Sequence, residues 1–369
     1  MGWSRTCRIR GLLAVALALC ACQLFAASAQ ARAPKRVTAM SYNIFQGSEL
    51  SHVASIKSFS EFPSAVAADY ANVIASNIPA RARAIAAEIK TTKPDLVGLQ
   101  EAALWRTAPA GTKPIMIPGT ATTVAYDTVG LIVKALARRG LHYKAVAITN
   151  NIDVQATGKF PNGTKMDIRF TDRVAILARK GVKISNVQDH NYVAHDSLSL
   201  AGAALPVPDG WASVDARVHG KKLRFITTHL DGLNTSKSAS VRAAEAQEIV
   251  NGPASGKAPV IFTCDCNVKP KTSTYNELTG ASLRDSWAKA HPGKAGLTCC
   301  HRTPPTNPEV SLADPKPFQG IIQRLDYVFV RGPFKIQRVR RIGTKRSERT
   351  KTKPKLWPSD HFAVVADLR

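Results

Sequence analysis

The chain has 369 residues, 44% of them apolar and 21% charged, so it is long enough to bury a sizeable core in one large domain or two ordinary ones. Lysine and arginine number 51 against 26 aspartate and glutamate, a formal charge of +25 that favours polyanionic partners: nucleic acid, anionic lipid surfaces or acidic polymers. Beyond the N-terminal leader no stretch is apolar over the roughly 20 residues that a helical bilayer crossing needs.

Residues 1–29 read as a secretory signal peptide. Arg5, Arg8 and Arg10 precede an apolar run over 11–27 broken only by Gln23, and Ala27-Ser28-Ala29 and Ala29-Gln30-Ala31 are small-residue cleavage sites. A retained membrane anchor is the competing reading. Leu19-Cys20-Ala21-Cys22 also loosely resembles a lipoprotein box, with Cys22 as the lipid-bearing residue. Export, to the periplasm or outside the cell, is the expectation for the mature chain.

Val37, Ala39, Ser41 and Asn43 alternate with Thr38, Met40, Tyr42 and Ile44, a strand with Asn43 near its end. Residues 46–77 form a mixed polar excursion carrying a short helix, a wall of the binding site. Ala82, Ile85, Ala86 and Ile89 after Pro79 have the spacing of a helix over 79–91, stopped by Lys93-Pro94-Asp95. Residues 95–101 then read as a buried strand ending in the carboxylate of Glu101. A second helix over 128–139, strands at 143–148, 173–178, 211–218 and 222–228, and an alanine- and glutamate-rich helix over 236–249 follow.

Val260-Ile261-Phe262-Thr263-Cys264-Asp265-Cys266-Asn267 is the central buried strand. Extended throughout, it would place Asp265 and Asn267 on one face about 6.7 Å apart, with Cys264 and Cys266 on the other. A carboxylate and a carboxamide at the mouth of a core strand require polar partners from elsewhere. Cys7, Cys20 and Cys22 lie in the leader, leaving Cys264, Cys266, Cys299 and Cys300, whose oxidation export favours. Neighbours on one strand face sit near the upper limit for bridging, and adjacent cysteines bridge only with strain. The two pairs are therefore expected to bridge to each other, tying the loop at 299 beneath the central strand. A four-thiolate zinc site is the rival, although the spacing is not a usual zinc pattern.

A segment at 281–287, a loop over 292–320 and strands at 324–330, 334–341 and 362–368 complete the chain. The densest basic block, residues 338–355, is either a solvated loop or a polyanion-binding face. Helices and strands mix without strict alternation or internal repeat, which favours mixed sheets flanked by helices over a doubly wound parallel sheet. No boundary interrupts 34–369, so a single catalytic domain is expected there.

The polar residues of interest fall at strand ends: Asn43, Glu101, His229, Asp265 and Asn267, then Asp326, Asp360 and His361. Each alone has an ordinary structural explanation. Together they match the needs of phosphodiester hydrolysis: a hard cation, a base for water, and donors for the phosphorane charge. Glu101 suits magnesium, which prefers one or two carboxylates plus water and phosphate. His361 suits the base, its tautomer fixed by a carboxylate such as Asp326. Asn43, Asn267 and His229 are donors without negative charge.

Ser41-Tyr42-Asn43-Ile44, Leu99-Gln100-Glu101, Thr228-His229-Leu230, Asp265-Cys266-Asn267, Arg324-Leu325-Asp326-Tyr327 and Ser359-Asp360-His361 occur in that order. In them the chain resembles the endonuclease/exonuclease/phosphatase superfamily of magnesium-dependent phosphoesterases, which includes deoxyribonucleases, repair exonucleases, neutral sphingomyelinases and inositol polyphosphate phosphatases. The resemblance spans 36–369. It implies an α/β (α+β) fold, a four-layer α/β/β/α sandwich of two mixed sheets packed face to face. It further implies Glu101 as principal metal ligand with Asn43 beside it and Asp360 nearby, and magnesium, with manganese as an alternative, as the ion. His361 would be the general base oriented by Asp326; Asp265 would activate water or protonate the leaving group; Asn267 and His229 would bind the substrate phosphate.

Two departures stand out. Cys264 and Cys266 flank Asp265 where the superfamily usually has Gly-Asp-Phe-Asn, and Phe45 occupies the place of an aspartate usual in exonuclease-type members. Thr298-Cys299-Cys300-His301 looks like a loop of poorly characterised exported bacterial members. The expected activity is that of an exported phosphodiesterase. A deoxyribonuclease-like action on nucleic acid stands first on charge, then sphingomyelinase or phospholipase C-like action at a lipid surface, then inositol-phosphate phosphatase action. The set of acid, base and donors argues against a non-catalytic binder, and no obligate protein partner is implied.

Overall fold

The structure, a computed structural model, describes residues 36–111, 113, 115–300, 310–313 and 321–369. The leader with Cys7, Cys20 and Cys22, the expected domain start at 34, and His301 lie outside the described residues. Residues Val37–Arg369 form one compact unit.

In chain order the elements begin with β1 (Val37–Asn43), α1 (Ser51–Ala54), α2 (Phe62–Ala75), α3 (Ile78–Thr92), β2 (Leu96–Gln100), β3 (Leu104–Pro109), β4 (Ile115–Met116) and β5 (Thr123–Asp127). Then come α4 (Thr128–Ala137), β6 (Tyr143–Lys159), β7 (Lys165–Arg179), β8 (Lys183–Asn191), β9 (Asp196–Leu200), β10 (Ala203–Val207), β11 (Gly210–Val218) and β12 (Lys221–His229). The rest are α5 (Ser238–Asn251), β13 (Val260–Asp265), α6 (Ser273–Gly280), β14 (Arg284–Asp285), α7 (Ser286–Ala290), α8 (Val310–Ala313), β15 (Asp326–Arg331), β16 (Ile336–Ile342) and β17 (Ala363–Leu368).

Two large mixed sheets result. The nine-stranded sheet runs β16-β17-β1-β2-β7-β3-β5, with β6 on β7 and β4 on β6; the six-stranded sheet runs β14-β15-β13-β12-β11-β8. Strand alternation sorts the side chains into layers. Val37 and Ala39 of β1, Leu96 of β2 and Ile176 of β7 meet Val214, Phe225, Ile261 and Val328 of the other sheet. Met40, Tyr42, Val97 and Leu99 point the other way, onto Ile85 and Ile89 of α3 and Ile132 and Leu136 of α4. Ile226, Phe262 and Phe329 likewise face Ala246 and Ile249 of α5 and Leu278 of α6. This is the four-layer α/β/β/α sandwich implied by the resemblance.

The sheets approach most closely at Gly98, where a Cβ would overlap the hydroxyls of Thr263 and Thr227. Helix α3 starts as expected, with the Asn77 side chain accepting from the Ala80 N–H at 3.2 Å and Pro79 in the first turn. Lys93 ends it in a left-handed conformation.

Three expectations are corrected. The hairpin of β6 and β7 spans 17 and 15 residues, far beyond 143–148 and 173–178. Its outer half alternates, with Ile152, Val154 and Ala156 against Asp153 and Gln155, and Met166, Ile168 and Phe170 against Asp167 and Arg169, while polar residues pair across the ladder, as in Arg169 with Asp153 at 2.7 Å and Asn151 with Asp172 at 2.7 Å. The strand β8, almost wholly exposed, and the separate β9–β10 hairpin were also not anticipated. The central strand stops at Asp265, and Asn267 turns left-handed at φ 48° rather than continuing the face of Asp265.

The expected disulfides are corrected as well. The Cα atoms of Cys264 and Cys266 lie 5.1 Å apart, well inside the bridging range, and the two are bonded to each other. Cys299 is bonded to Cys300, so the pairs do not cross-link. Cys264 packs in the outer core of the six-stranded sheet, whereas Cys299 is held by a two-way backbone bridge to Gln323 at 3.0 Å. Among the described residues no helix is long and apolar enough to cross a membrane.

Candidate active site

Each large sheet contributes one parallel strand pair, and both pairs end at the same place. In the first, Asn43 of β1 lies opposite Gln100 of β2, with Glu101 next in the chain; in the second, His229 of β12 lies opposite Asp265 of β13. Asp326 opens the antiparallel neighbour β15, opposite Asp265. Strand ends therefore deliver polar groups from both sheets without burying them in mid-core.

The groups connect through hydrogen bonds and close carboxylate–imidazole contacts. Nδ2 of Asn43 donates to Oε1 of Glu101 at 2.7 Å and to Oδ2 of Asp265 at 2.9 Å. The other Glu101 oxygen accepts from the Gln46 N–H at 2.9 Å. Oδ2 of Asp265 lies 3.5 Å from Nε2 of His229 and 3.6 Å from Nδ1 of His361. Nδ1 of His361 is 2.9 Å from Oδ2 of Asp326, which leaves Nε2 as the free face of the imidazole, 3.6 Å from Sγ of Cys300. Nδ2 of Asn267 lies 2.9 Å from Nε2 of His229 and donates to the Leu230 carbonyl at 2.9 Å.

Asp360 joins through Ser359, whose hydroxyl donates to the Asn43 carbonyl at 2.7 Å and lies 3.2 Å from Oδ1 of Asp360. The structure thus brings together Asn43, Glu101, His229, Asp265, Asn267, Asp326, Asp360 and His361. Glu101, Asn267 and Phe45 hold left-handed backbone angles of 53°, 48° and 57°. Such conformations cost about 1 kcal/mol or more each and persist where the surroundings impose them, as at functional sites.

Charge is unbalanced. Burial and the nearby Asp360 carboxylate hold Glu101 above its ordinary value, and burial raises Asp360 as well. Burial would raise Asp265, but the His361 and His229 imidazoles outweigh it and keep that carboxyl low. Burial would lower His361, yet Asp326, Asp360 and Asp265 hold it well above its usual range. His229, beside Asp265, Glu101, Asp209 and Asp172, is pushed up to about 9 against the effect of burial. Oδ1 of Asp326 and Oδ1 of Asp172 are buried without a partner. An excess of carboxylates over basic groups, two with an orphaned oxygen, fits a divalent cation, and Glu101 keeps an edge to solvent where water and phosphate could complete its shell.

Sequence reasoning missed several residues. Arg81 is 1% exposed and donates to the carbonyls of Ser76, Ile44, Phe45 and Pro358 at 2.8–3.0 Å, fastening the end of β1 to the approach of Ser359. A charged residue four before Ile85, on the apolar face of α3, was the available signal. Thr298 accepts the backbone N–H groups of Leu325 and Asp326 at 3.2 Å and so sets the dyad carboxylate. Asp172 and Asp209 come within 4.8 Å of His229 in their ligand-type atoms, with no pattern in the sequence to announce them.

Beyond Glu101 and His229 the site opens into a pocket of about 340 Å³. Its walls are apolar: Trp105 lies against Phe170 with centroids 4.6 Å apart, Tyr70 sits 6.0 Å from Trp105, and Leu198, Leu200 and Leu205 come from the β9–β10 hairpin. The indole N–H of Trp105 donates to the Gln46 carbonyl at 2.9 Å, so the pocket wall and the Glu101 support are continuous.

Comparison with known proteins agrees with this arrangement. The family model described as Endonuclease/Exonuclease/phosphatase family matches residues 40–361. An endonuclease/exonuclease/phosphatase family protein from Bacteroides thetaiotaomicron superposes with a TM-score of 0.55 at 17% identity, covering 90% of this chain and 94% of that one. A mannosyl-6-phosphatase from the same organism gives 0.51 at 18% identity, covering 90% and 99%. A humanized D. rerio TDP2 gives 0.50 at 14%, with the same coverage of 90% and 99%. A search of curated sequences finds no match. These structural likenesses concern the fold, and the family follows from the sequence match over most of the chain: the protein belongs to the endonuclease/exonuclease/phosphatase family.

Proposed function

We propose that this chain is an exported, divalent-metal-dependent phosphodiesterase. The observation that carries the reading is the chain of contacts from Glu101 through Asn43 and Asp265 to the His361–Asp326 dyad, which joins a candidate metal ligand to a candidate base. Magnesium, or manganese, held by Glu101 with Asp360 nearby and Asn43 beside it, would polarise the phosphoryl oxygens and neutralise the transition-state charge. Its positive charge would also draw His361 back toward the neutral range, because a bound cation dominates local titration.

Asp326 accepts from Nδ1 of His361 and thereby directs Nε2 at the attacking water. Nε2 takes a proton from that water, the oxygen adds to phosphorus, and the ester bond on the far side breaks. Asp265, kept ionised by two imidazoles, is suited to orient the water rather than to supply a proton. Asn267 and His229 donate to the non-bridging oxygens. Export is supported by the leader sequence and by cysteines paired as disulfides, as an oxidising compartment favours.

The nucleic-acid reading is supported by the charge of +25. Part of the basic block is engaged internally, however: Arg340 pairs with Asp367 at 2.6 Å, and Arg341 donates to the Leu297 carbonyl at 2.5 Å. The apolar pocket favours the second reading, phosphodiesters of lipid type. Plasmid DNA, RNA, sphingomyelin and bis(p-nitrophenyl) phosphate, each with magnesium and with chelator, form the test. Turnover of at least one that stops with chelator is expected; turnover indifferent to chelator would overturn the metal-dependent mechanism.

A further inference from the structure

The pocket beside Glu101 is larger and more apolar than a phosphoester site requires. Its volume of about 340 Å³ is roughly twice the ~150 Å³ of an apolar cavity that stays dry and takes up benzene. It falls within the range of small-molecule sites. Glu101 and His229 form part of its lining, so a phosphate bound between them has one ester group directed along the wall of Trp105 and Phe170. Leu198 and Leu205 are only half-buried and keep the space accessible.

The polar groups at the phosphate end are Asp172 and Asp209. Both come within 4.8 Å of His229 in their ligand-type atoms, and among the described residues Oδ1 of Asp172 has no hydrogen-bond partner. A nucleotide chain carries a negative charge at every residue, and the described lining of the pocket holds no lysine or arginine to meet its next phosphate, which would be desolvated unpaired. An uncharged organic group meets no such penalty.

We infer that this pocket receives an apolar alkyl or aryl group esterified to the scissile phosphate, making the substrates phosphoesters of apolar alcohols. The inference rests on the phosphodiesterase reading above. The test uses methyl- to octylphosphonate as inhibitors of the magnesium-dependent turnover of bis(p-nitrophenyl) phosphate. The inhibition constant is expected to fall about fourfold per methylene over the first carbons, as full burial of each CH₂ implies, then level off as the pocket fills. Leu205→Trp on the hairpin, or Val53→Trp on the lining helix α1 should the first fail to fold, flattens the series and leaves methylphosphonate unchanged. Equal inhibition by methyl- and octylphosphonate with turnover intact would overturn the inference alone. A chain-length dependence that persists in a folded filled-pocket variant would do the same. Absence of turnover on every phosphodiester tried, with magnesium and with manganese, would remove the phosphodiesterase reading and the inference with it.

Discussion

Arg81→Lys probes how the site is assembled. The guanidinium donates from Nε to the Ser76 carbonyl at 2.9 Å, from Nη1 to Ile44 at 2.8 Å and Pro358 at 3.0 Å, and from Nη2 to Phe45 at 3.0 Å. Burial pushes it down to about 10, so it remains charged at neutral pH. A lysine ammonium is a point donor with three protons and cannot span carbonyls disposed around a planar fork. At least one buried carbonyl loses its donor, at about 1–3 kcal/mol each, and the remaining bonds lengthen. The expected loss of stability is about 3 kcal/mol, read as a lower midpoint in urea. Because Ile44 and Phe45 follow Asn43 while Pro358 precedes Ser359, Asp360 and His361, metal ligand and base lose their common tie. A misplacement near 1 Å costs about 100-fold in rate. Wild-type midpoint and wild-type kcat in Arg81→Lys would refute this account; a lower midpoint with unchanged kcat would make Arg81 a fold residue only.

Glu101→Gln and His361→Ala should each abolish hydrolysis while circular dichroism and melting stay close to wild type; normal turnover in either removes that residue from the mechanism. Gly98→Ala should destabilise by about 1–3 kcal/mol, since the added methyl meets Thr263 and Thr227 between two sheets, and a neutral result would mean the sheets can part there. Non-reducing tryptic mapping should find Cys264 with Cys266 in one peptide, unlinked to the peptide of Cys299 and Cys300. Because the Cys264–Cys266 loop is so short, reducing it should cost only about 1–2 kcal/mol, whereas a bridge to the 299 loop would be worth about 4 kcal/mol. Glu88 is buried beneath Tyr42, whose hydroxyl donates to it at 2.8 Å, and burial raises its carboxyl well above 4.5. The folded state therefore prefers the protonated form: stability is fullest below the unfolded value and falls as pH rises toward the folded one. Glu88→Gln should be the more stable protein at pH 8, with the difference shrinking toward pH 4; a constant difference across that range would contradict the assignment.

The parts of this protein legible in one dimension are those where an apolar run ends in a polar residue. Asn43, Glu101, His229 and Asp265 could be assigned to strand ends because each closes a run of apolar and small residues, such as Leu96 to Leu99 before Glu101 and Val260 to Cys264 before Asp265, that burial on both faces favours. What hid β8 was the converse: it is exposed on a sheet edge and little of it is buried, whereas the outer halves of β6 and β7 carry a period-two pattern, Ile152, Val154 and Ala156 and Met166, Ile168 and Phe170, diluted by charged residues between them.

The sequence by itself determined the strand-end polar residues from Asn43 to His361, their order along the chain and the layered class of fold, because strand burial and residue chemistry are local properties. Only the structure decided which cysteines pair: the Cα atoms of Cys264 and Cys266 lie 5.1 Å apart where the strand ends, and Cys299 pairs with its own neighbour Cys300. Only it could show that a buried arginine ties the end of β1 to the segment leading to Asp360 and His361, or that Trp105, Phe170 and a hairpin from Leu198 to Leu205 line a cavity beside Glu101. Those features depend on distances between segments far apart in the chain, and such distances exist only once the two sheets have packed.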